Sequence, residues 1–412
     1  MSRSLKPRDS KDLESIIGDA LVNRTPLEII GGGSKRTIGQ LMPTKKEVSL
    51  SGLSGITLYE PKELVLCAYA GTALEEIESV LGEHNQHLAF EPINLSHLFF
   101  SNAVQTIGGV ISTNLAGPRR IYSGAPRDHL LGATMITGRG ETIKTGGRVV
   151  KNVTGYDLCK LFAGSYGTLA AATKLTIKVL PVGSKIRTVL ISLEKEEDAV
   201  SAMIASLQSP YEVSGASFIT SALSKRSEVS YIAGANSSIV GIRIEGSGPS
   251  VNARCSKLKN LLVSYGDIQE LHYHNSMKFW QEVANVSPYK NKKGAIWRIS
   301  VVPSMVIETL NKIGRELDIE YYLDWGGGLI WLRLIEDRSD AGARSIRNSI
   351  EVGSGHATLI RASEDIRAQV PVFQPQASGI RELGKRVKGS FDPAGILNPN
   401  KMVHLLEAHS AN

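Results

Sequence analysis

The sequence predicts an α+β protein in which small mixed strand–helix units are followed by a second α+β domain with a largely antiparallel sheet. Three observations carry this. Through the first hundred residues, short apolar runs of strand length alternate with amphipathic helical spacing. Between Val104 and Pro181 fall twelve of the forty glycines, in small-residue clusters such as Gly108-Gly109 and Gly164-Ser165-Tyr166-Gly167-Thr168. After Pro181 the glycine clusters thin out and strands alternate with longer helices. At 412 residues the chain is long enough for two or three domains with a sizeable core.

Bulk composition narrows the function classes. With 42% hydrophobic and 21% charged residues the chain is of ordinary globular type. No run of eighteen apolar residues occurs, so no membrane-spanning helix is expected. The N-terminal MSRSLKPRDSKDLESII is polar and lacks a secretory apolar core. The formal net charge of +7 is dispersed, without a long Lys/Arg run or a basic stripe interleaved with aromatics. That argues against nucleic acid; dispersed charge of this size reflects solubility, an acidic partner or an anionic substrate. Cys67, Cys159 and Cys255 are far apart with no CxxC pair, which argues against a disulfide framework, a zinc ribbon or an iron–sulfur cluster within this chain. A cytoplasmic location is expected, with any membrane association peripheral and through a partner.

Taken in order, Ser10 is the expected N-cap of a first helix whose buried face is Leu13, Ile16, Ile17, Ala20 and Leu21. Leu27 to Ile30 reads as a strand feeding into Gly31-Gly32-Gly33-Ser34-Lys35-Arg36. The spacing is neither the Walker loop nor the GxGxxG fingerprint. Consecutive backbone N–H groups could bind phosphate there, or the segment could be a flexible glycine turn. Val48 to Leu50, Ile56 to Tyr59 and Leu64 to Ala70 read as strands. Thr72 and Glu75 suggest a capping box, opening a helix that buries Leu74, Ile77, Val80 and Leu81. Gly108 to Ala116 is small and β-capable, ended by Gly117-Pro118. Ala133 to Thr137 and Glu141 to Lys144 form a hairpin, Leu158 to Phe162 a helical turn, and Leu175 to Val179 a half-buried strand. Beyond Pro181, strands are expected at 188–193, 239–244, 297–302, 329–334 and 357–361, with helices at 196–207, 251–263, 305–317 and 341–352. A helix from Ile380 to Ser390 leads into FDPAGILNPNKM, rigid enough to dock back on an earlier domain.

Four segments in this order resemble one family: IIGGGSK at 29–35, TIGGVISTNLAGPRRIYSGAPRDHLLG at 106–132, KNVTGYDLCKLFAGSYGTL at 151–169 and FDPAGILNPNKM at 391–402. The chain resembles the FAD-linked oxidases, the PCMH-type flavoproteins related to vanillyl-alcohol oxidase. Within them it is most similar to FAD-binding subunits of heteromeric bacterial glycolate oxidases, supported by DWGGGLIWLRL at 324–334. The resemblance implies two α/β subdomains holding FAD at residues 1–183, split near 100. It implies an α+β cap at 184–365 and a C-terminal segment, 366–412, docking on the FAD domain.

It also implies a binding set. Gly31, Gly32, Gly33, Ser34 and Lys35 would form one side of the pyrophosphate cradle. Thr106, Ile107, Gly108 and Gly109, with Ser112, Thr113, Asn114 and Gly117, would form the other. Gly164, Ser165, Gly167, Thr168, Ala171 and Ala172 would line the adenosine and ribose. Arg127, Asp128 and Asn398 complete the set. Small residues suit a diphosphate because its two charges are met by backbone N–H groups that bulky side chains would screen off.

Two departures from the family pattern matter. The tethering His or Cys of covalent flavoproteins is missing from GGGSKR and from Val104 to Tyr122, so noncovalent FAD is expected. The histidine-rich cap segments of hydroxy-acid-oxidising relatives are also missing. In their place stands Asp324-Trp325-Gly326-Gly327-Gly328, and only Gly353-Ser354-Gly355-His356 remains as a candidate remnant. His356 is therefore the one catalytic candidate. His272 and His274 would share one face of a strand, but without a third ligand they are read as ordinary solvated or core histidines, and no metal site is expected. Asp157 is read as a structural hydrogen-bonding carboxylate, and Trp280, Trp297, Trp325 and Trp331 as core or interface aromatics.

The resemblance implies a FAD-binding subunit that passes electrons from glycolate, or another 2-hydroxy acid, toward an iron–sulfur partner and a quinone-type acceptor. A homologous flavin subunit bearing the missing histidines would oxidise the substrate. Two alternatives stand beside it: a self-sufficient D-lactate-type dehydrogenase using His356, His272 or His274, and a non-catalytic structural subunit.

Overall fold

A computed structural model describes residues 4–44, 46–148 and 155–402. His404 and the start of the KNVTGYD segment lie outside the described residues. The first part opens with helix α1 (Ser10–Val22), whose buried face is Leu13, Ile17 and Ala20. Its cap is Asp9 rather than Ser10: the Asp9 carboxylate accepts from the Asp12 N–H at 2.8 Å. Strand β1 (Glu28–Ile30) pairs in parallel with β2 (Glu47–Ser49). A five-stranded antiparallel sheet follows, in the order β3 (Ile56–Glu60), β4 (Val65–Tyr69), β8 (Ala170–Lys178), β6 (Leu130–Thr137), β7 (Thr142–Gly146). The expected 133–144 hairpin is β6–β7. A two-residue antiparallel pair, β5 (Gln86–His87) with β9 (Leu180–Pro181), forms a separate small sheet.

Two local expectations fail here for physical reasons. Helix α2 (Leu74–Glu83) has no side-chain cap. The Thr72 hydroxyl instead donates to the Tyr69 carbonyl at 2.7 Å, tying the end of β4 to the turn. Residues 108–116 are not a strand. They lie largely within helix α3 (Ile107–Thr113), capped by the Thr106 hydroxyl and ended by Asn114 in the left-handed region. Gly108-Gly109 has poor helix propensity. The helix persists because Ile107, Val110 and Ile111 are buried in the core of this domain.

The cap sheet is wholly antiparallel and has eight strands: β13 (Gly266–Leu271), β10 (Lys185–Leu193), β12 (Ser238–Gly246), β11 (Val213–Ile219), β15 (Ile319–Asp324), β16 (Leu329–Leu334), β14 (Ile296–Val301), β17 (Gly355–Arg361). It consists of two βαββαβ units of ferredoxin-like order, β10–β13 and β14–β17, joined edge to edge at β11 and β15. His272 and His274 are not on a strand. His272 caps the helix Tyr273–Ala284 and His274 lies in its first turn, so they do not share a strand face.

Helices cover one face of the cap sheet, over a core containing Trp297, Ile299 and Leu332. The other face meets the first domain in a junction core where Ile93, Leu95, Leu98 and Leu115 pack with Trp280, Tyr322, Trp325 and Trp331. A buried ion network spans this junction. Glu91 accepts from Arg243 Nη1 at 2.6 Å and from the Arg119 N–H at 2.7 Å. Arg119 in turn meets Glu245 and His87 Nδ1, the latter at 2.8 Å. No helix among the described residues is long and apolar enough to cross a membrane.

Candidate functional site

A cleft opens between the turn that leaves β1, helix α3 and strand β8. One wall is Gly31 to Arg36. The opposite wall is Thr106, Gly108, Gly109, Ser112 and Thr113. Ala70, Ala170, Ala171 and Ala172 give its lining a patch of methyls, beside the larger Met42, Leu50 and Tyr166. The turn is close-fitting. A Cβ on Gly32 would lie 2.0 Å from the Val104 carbonyl oxygen, and Gly33 has φ +88°, which side chains rarely adopt.

Where the backbone N–H groups go decides what the cleft can hold. Those of Gly32, Gly33 and Ser34 donate to no group among the described residues. On the opposite wall they are already used: Ile107 N–H donates to the Thr72 carbonyl, Gly108 N–H to the Ala70 carbonyl, and Gly109 N–H to the Thr106 hydroxyl. Anion-binding capacity is therefore concentrated on the glycine turn. The α3 side supplies closeness and the Ser112 hydroxyl.

Two lysines bring positive charge. Lys35 is buried, donates to Gln105 Oε1, and is pushed down to about 8 by burial. Lys401 donates to the Arg36 carbonyl at 2.6 Å and is also pushed down to about 8, first by burial and then by Arg367. Glu28 is neutralised by Arg36. Free N–H groups, two lysines and a patch of methyls fit an elongated phosphate-bearing ligand. Lys401 and Tyr166 were missed from the sequence. Both sit inside the family segments, Lys401 three residues past Asn398.

The tail is what completes the cleft. Asn398 accepts the Ile29 N–H at 2.6 Å and donates to the Tyr166 carbonyl at 2.7 Å, tying β1 to the 164–168 loop. Asp392 is buried, accepting from the Ile396 and Leu397 N–H groups and from Lys388, which also donates to the Thr168 carbonyl.

The remaining expected residues lie around the cleft, not on its lining. Asn114 accepts the Arg127 N–H at 2.9 Å, and Asp128 accepts the Ala125 N–H at 2.9 Å. The Arg127 side chain is about half exposed. Ile107 is fully buried. Gly164 donates to the Ile111 carbonyl, and Thr168 closes its own turn on Ser165. The Ser165 hydroxyl is buried without a partner. Gly117 abuts Glu91, and its carbonyl accepts Trp325 Nε1 at 3.0 Å. Asp157 caps the helix Leu158–Phe162.

His356 stands apart from the cleft. It is on edge strand β17, opposite Ser300 of β14. Burial, followed by the charges of Arg298 and Arg120, holds its imidazole below the ordinary range. No group of His, Cys, Asp or Glu among the described residues could hold a metal ion.

Comparison with known proteins agrees with this geometry. Residues 2–146 match the FAD binding domain family. The chain is 32% identical over 400 residues to the glycolate oxidase subunit GlcE of Escherichia coli, covering 95% of this chain and 97% of that one. It is 24% identical over 429 residues to the glycolate oxidase subunit GlcD of Bacillus subtilis, covering 97% and 88%. It is 30% identical over 202 residues to a D-lactate dehydrogenase of Archaeoglobus fulgidus, covering 48% and 43%. Of solved structures, p-cresol methylhydroxylase superposes with TM-score 0.70 at 12% identity, covering 98% of this chain and 89% of that one. The 4-ethylphenol oxidase of Gulosibacter chungangensis gives 0.69 at 14%, covering 96% and 88%. Fold and cleft together define a flavoprotein of the PCMH type that binds FAD. The chain belongs to the FAD-linked oxidase family and is an oxidoreductase.

Proposed function

We propose that the chain is the FAD-binding subunit of a heteromeric glycolate dehydrogenase. Its partners would be a homologous flavin subunit that oxidises the substrate and an iron–sulfur subunit leading to a quinone-type acceptor. The observation that carries this is the likeness to the Escherichia coli glycolate oxidase subunit over nearly the full length of both chains. The same reading extends to other 2-hydroxy acids.

Bound FAD would accept a two-electron equivalent and pass it on. The chain's own residues bind and orient it. The N–H groups of Gly32, Gly33 and Ser34 face the diphosphate, Lys35 and Lys401 balance its charge, and Ala170 to Ala172 with Gly167 leave room for the rest. Asn114, through the Arg127 N–H, Gly164, through the Ile111 carbonyl, and Thr168, through Lys388, brace this shell from behind, whereas among the described residues Gly117, Asp128 and Ser165 make no hydrogen bond to it. Cys67, Cys159 and Cys255 are all buried and none lines the cleft, which supports noncovalent FAD.

Lys35 gives this reading a pH signature. An anionic diphosphate favours the charged lysine, so FAD affinity is greatest below about pH 8 and falls as pH rises through that value. Flavin dissociation constants measured from pH 6 to pH 10 are expected to show this loss. Lys35→Met is expected to bind about ten-fold more weakly with a flatter profile. An unchanged profile in that variant removes Lys35 from the diphosphate site.

A second reading rests on His356. A neutral imidazole facing the junction could take the proton from a hydroxy acid, making this chain self-sufficient. One experiment separates the two. The tagged protein, purified from its native host, is expected to carry flavin that acid precipitation releases, together with a second flavoprotein and an iron–sulfur protein. Sustained glycolate oxidation by the isolated chain with an artificial acceptor selects the His356 reading. A flavin-free chain with no associated subunits overturns both.

A further inference from the structure

Arg298 is a cation placed where a cation is costly. It lies mid-strand on β14, on the cap face turned toward the first domain, and is 8% exposed. Its Nε has no hydrogen-bond partner, and its guanidinium makes no ion pair among the described residues. A buried charge is ordinarily paired and hydrogen-bonded, because its lost hydration must be replaced.

The groups around Arg298 do not supply that replacement. Its Cζ is 4.9 Å from the centroid of the Trp325 ring. A second guanidinium, Arg120 of the first domain, is 4.4 Å from the same centroid and also makes no ion pair among the described residues. The two arginines therefore repel one another across the junction, with Tyr166 and Asp324 the other titratable groups that act on Arg298. Cation–π contact compensates only part of a lost hydration shell.

Trp325 itself is held in place against a local cost. It has φ +55°, an outlier for a bulky side chain. The Asp324 carboxylate accepts its N–H at 2.7 Å, and its Nε1 donates to the Gly117 carbonyl. Such strain persists only where surrounding contacts over-determine it, and it clusters at ligand sites. The place is reachable: Arg120 and His356 are exposed at its edge, and Tyr166 lines both this cluster and the phosphate cleft.

We propose that Arg298 and Arg120, arranged about Trp325, form a binding site for the carboxylate of a small monocarboxylic or hydroxy acid. Guanidinium forks match a carboxylate in a bidentate, charge-assisted way. Asp324, whose carboxyl burial pushes up to about 7, and Asp128 beside Arg120 offset the two guanidiniums only in part, leaving positive charge that a small anion cancels. Naming a hydroxy acid rests on the proposed function. The unpaired arginines alone call only for a small planar anion. Site occupancy is independent of whether His356 then takes a proton.

The test is calorimetric titration of the flavin-loaded chain with glycolate and with oxalate, beside inorganic phosphate and chloride. Saturable one-to-one carboxylate binding is expected, with a change in tryptophan fluorescence that Trp325→Phe abolishes. Arg298→Gln and Arg120→Gln are each expected to weaken binding about ten- to hundred-fold at unchanged flavin content. Arg120 is exposed, so its variant reports even if Arg298→Gln does not fold. No binding by the flavin-loaded wild type, or wild-type affinity in Arg120→Gln, overturns the site. Equal binding of phosphate or chloride overturns its carboxylate class. Either failure leaves the subunit reading standing, because that reading is judged on co-purified partners.

Discussion

Gly32→Ala is expected to yield a folded protein without flavin. The added methyl would stand 2.0 Å from the Val104 carbonyl oxygen and 3.0 Å from its carbon, both backbone atoms. No side chain can rotate away, so the turn itself must shift outward. Overpacking of this kind costs about 1–3 kcal/mol in a rigid setting. Gly31 to Gly33 are half-buried and line the cleft rather than the core, so the strain is relieved at the expense of the cradle. The displaced groups are the free N–H donors of Gly32, Gly33 and Ser34. A shift of about 1 Å takes N–H donors out of hydrogen-bond range of a diphosphate. Loss of visible flavin absorbance, with a near-native far-ultraviolet spectrum, is the expected readout. Gly18→Ala, in α1 where nothing lies within 4 Å of the new methyl, is the matched control and is expected to stay yellow. Full flavin content in Gly32→Ala would show that the diphosphate is held elsewhere.

The glycine turn that walls the cleft was legible in the sequence because its signal is local. Three glycines directly after an apolar strand leave few alternatives once the other three segments appear in order. The cap was less legible, for a physical reason. Strand β11, VSGASFI, is buried at every position. It therefore shows none of the alternation that marks a half-exposed strand. It is also the edge at which the two ferredoxin-like units join, so missing it hid the repeat. Helix α3 was misread because Gly108 and Gly109 look unsuited to a helix, whereas the Thr106 cap and packing against the core override propensity. Arg298 was illegible altogether. An isolated arginine in a strand reads as solvated, and its two neighbours, Arg120 and Trp325, come from distant parts of the chain.

Removing Glu91 is expected to be the most damaging single change at the junction. Its carboxylate is what allows Arg243, 2% exposed, and Arg119, 5% exposed, to be buried between the two domains. Glu245 remains beside both arginines, but one carboxylate cannot balance two buried guanidiniums. Breaking such a network by deleting one partner costs about 3–5 kcal/mol, because the uncompensated charge stays in place. Glu91→Gln keeps the shape and isolates the charge, and is expected to unfold at markedly lower denaturant. The sign with pH follows from the carboxyl itself. Burial opposes its ionisation, yet Arg243 and Arg119 overcome this and hold it down at about 2, from an ordinary 4.5. A depressed carboxyl stabilises the fold above its unfolded value, and that contribution is lost as pH falls from about 4.5 toward 2. Wild-type stability should therefore drop steeply across this window, and that of Glu91→Gln should drop less. Parallel curves for the two proteins would mean that Glu91 is already protonated in the folded state. Pairing Glu91→Leu with Arg243→Leu is expected to recover stability relative to Glu91→Leu alone, since it removes the stranded charge as well.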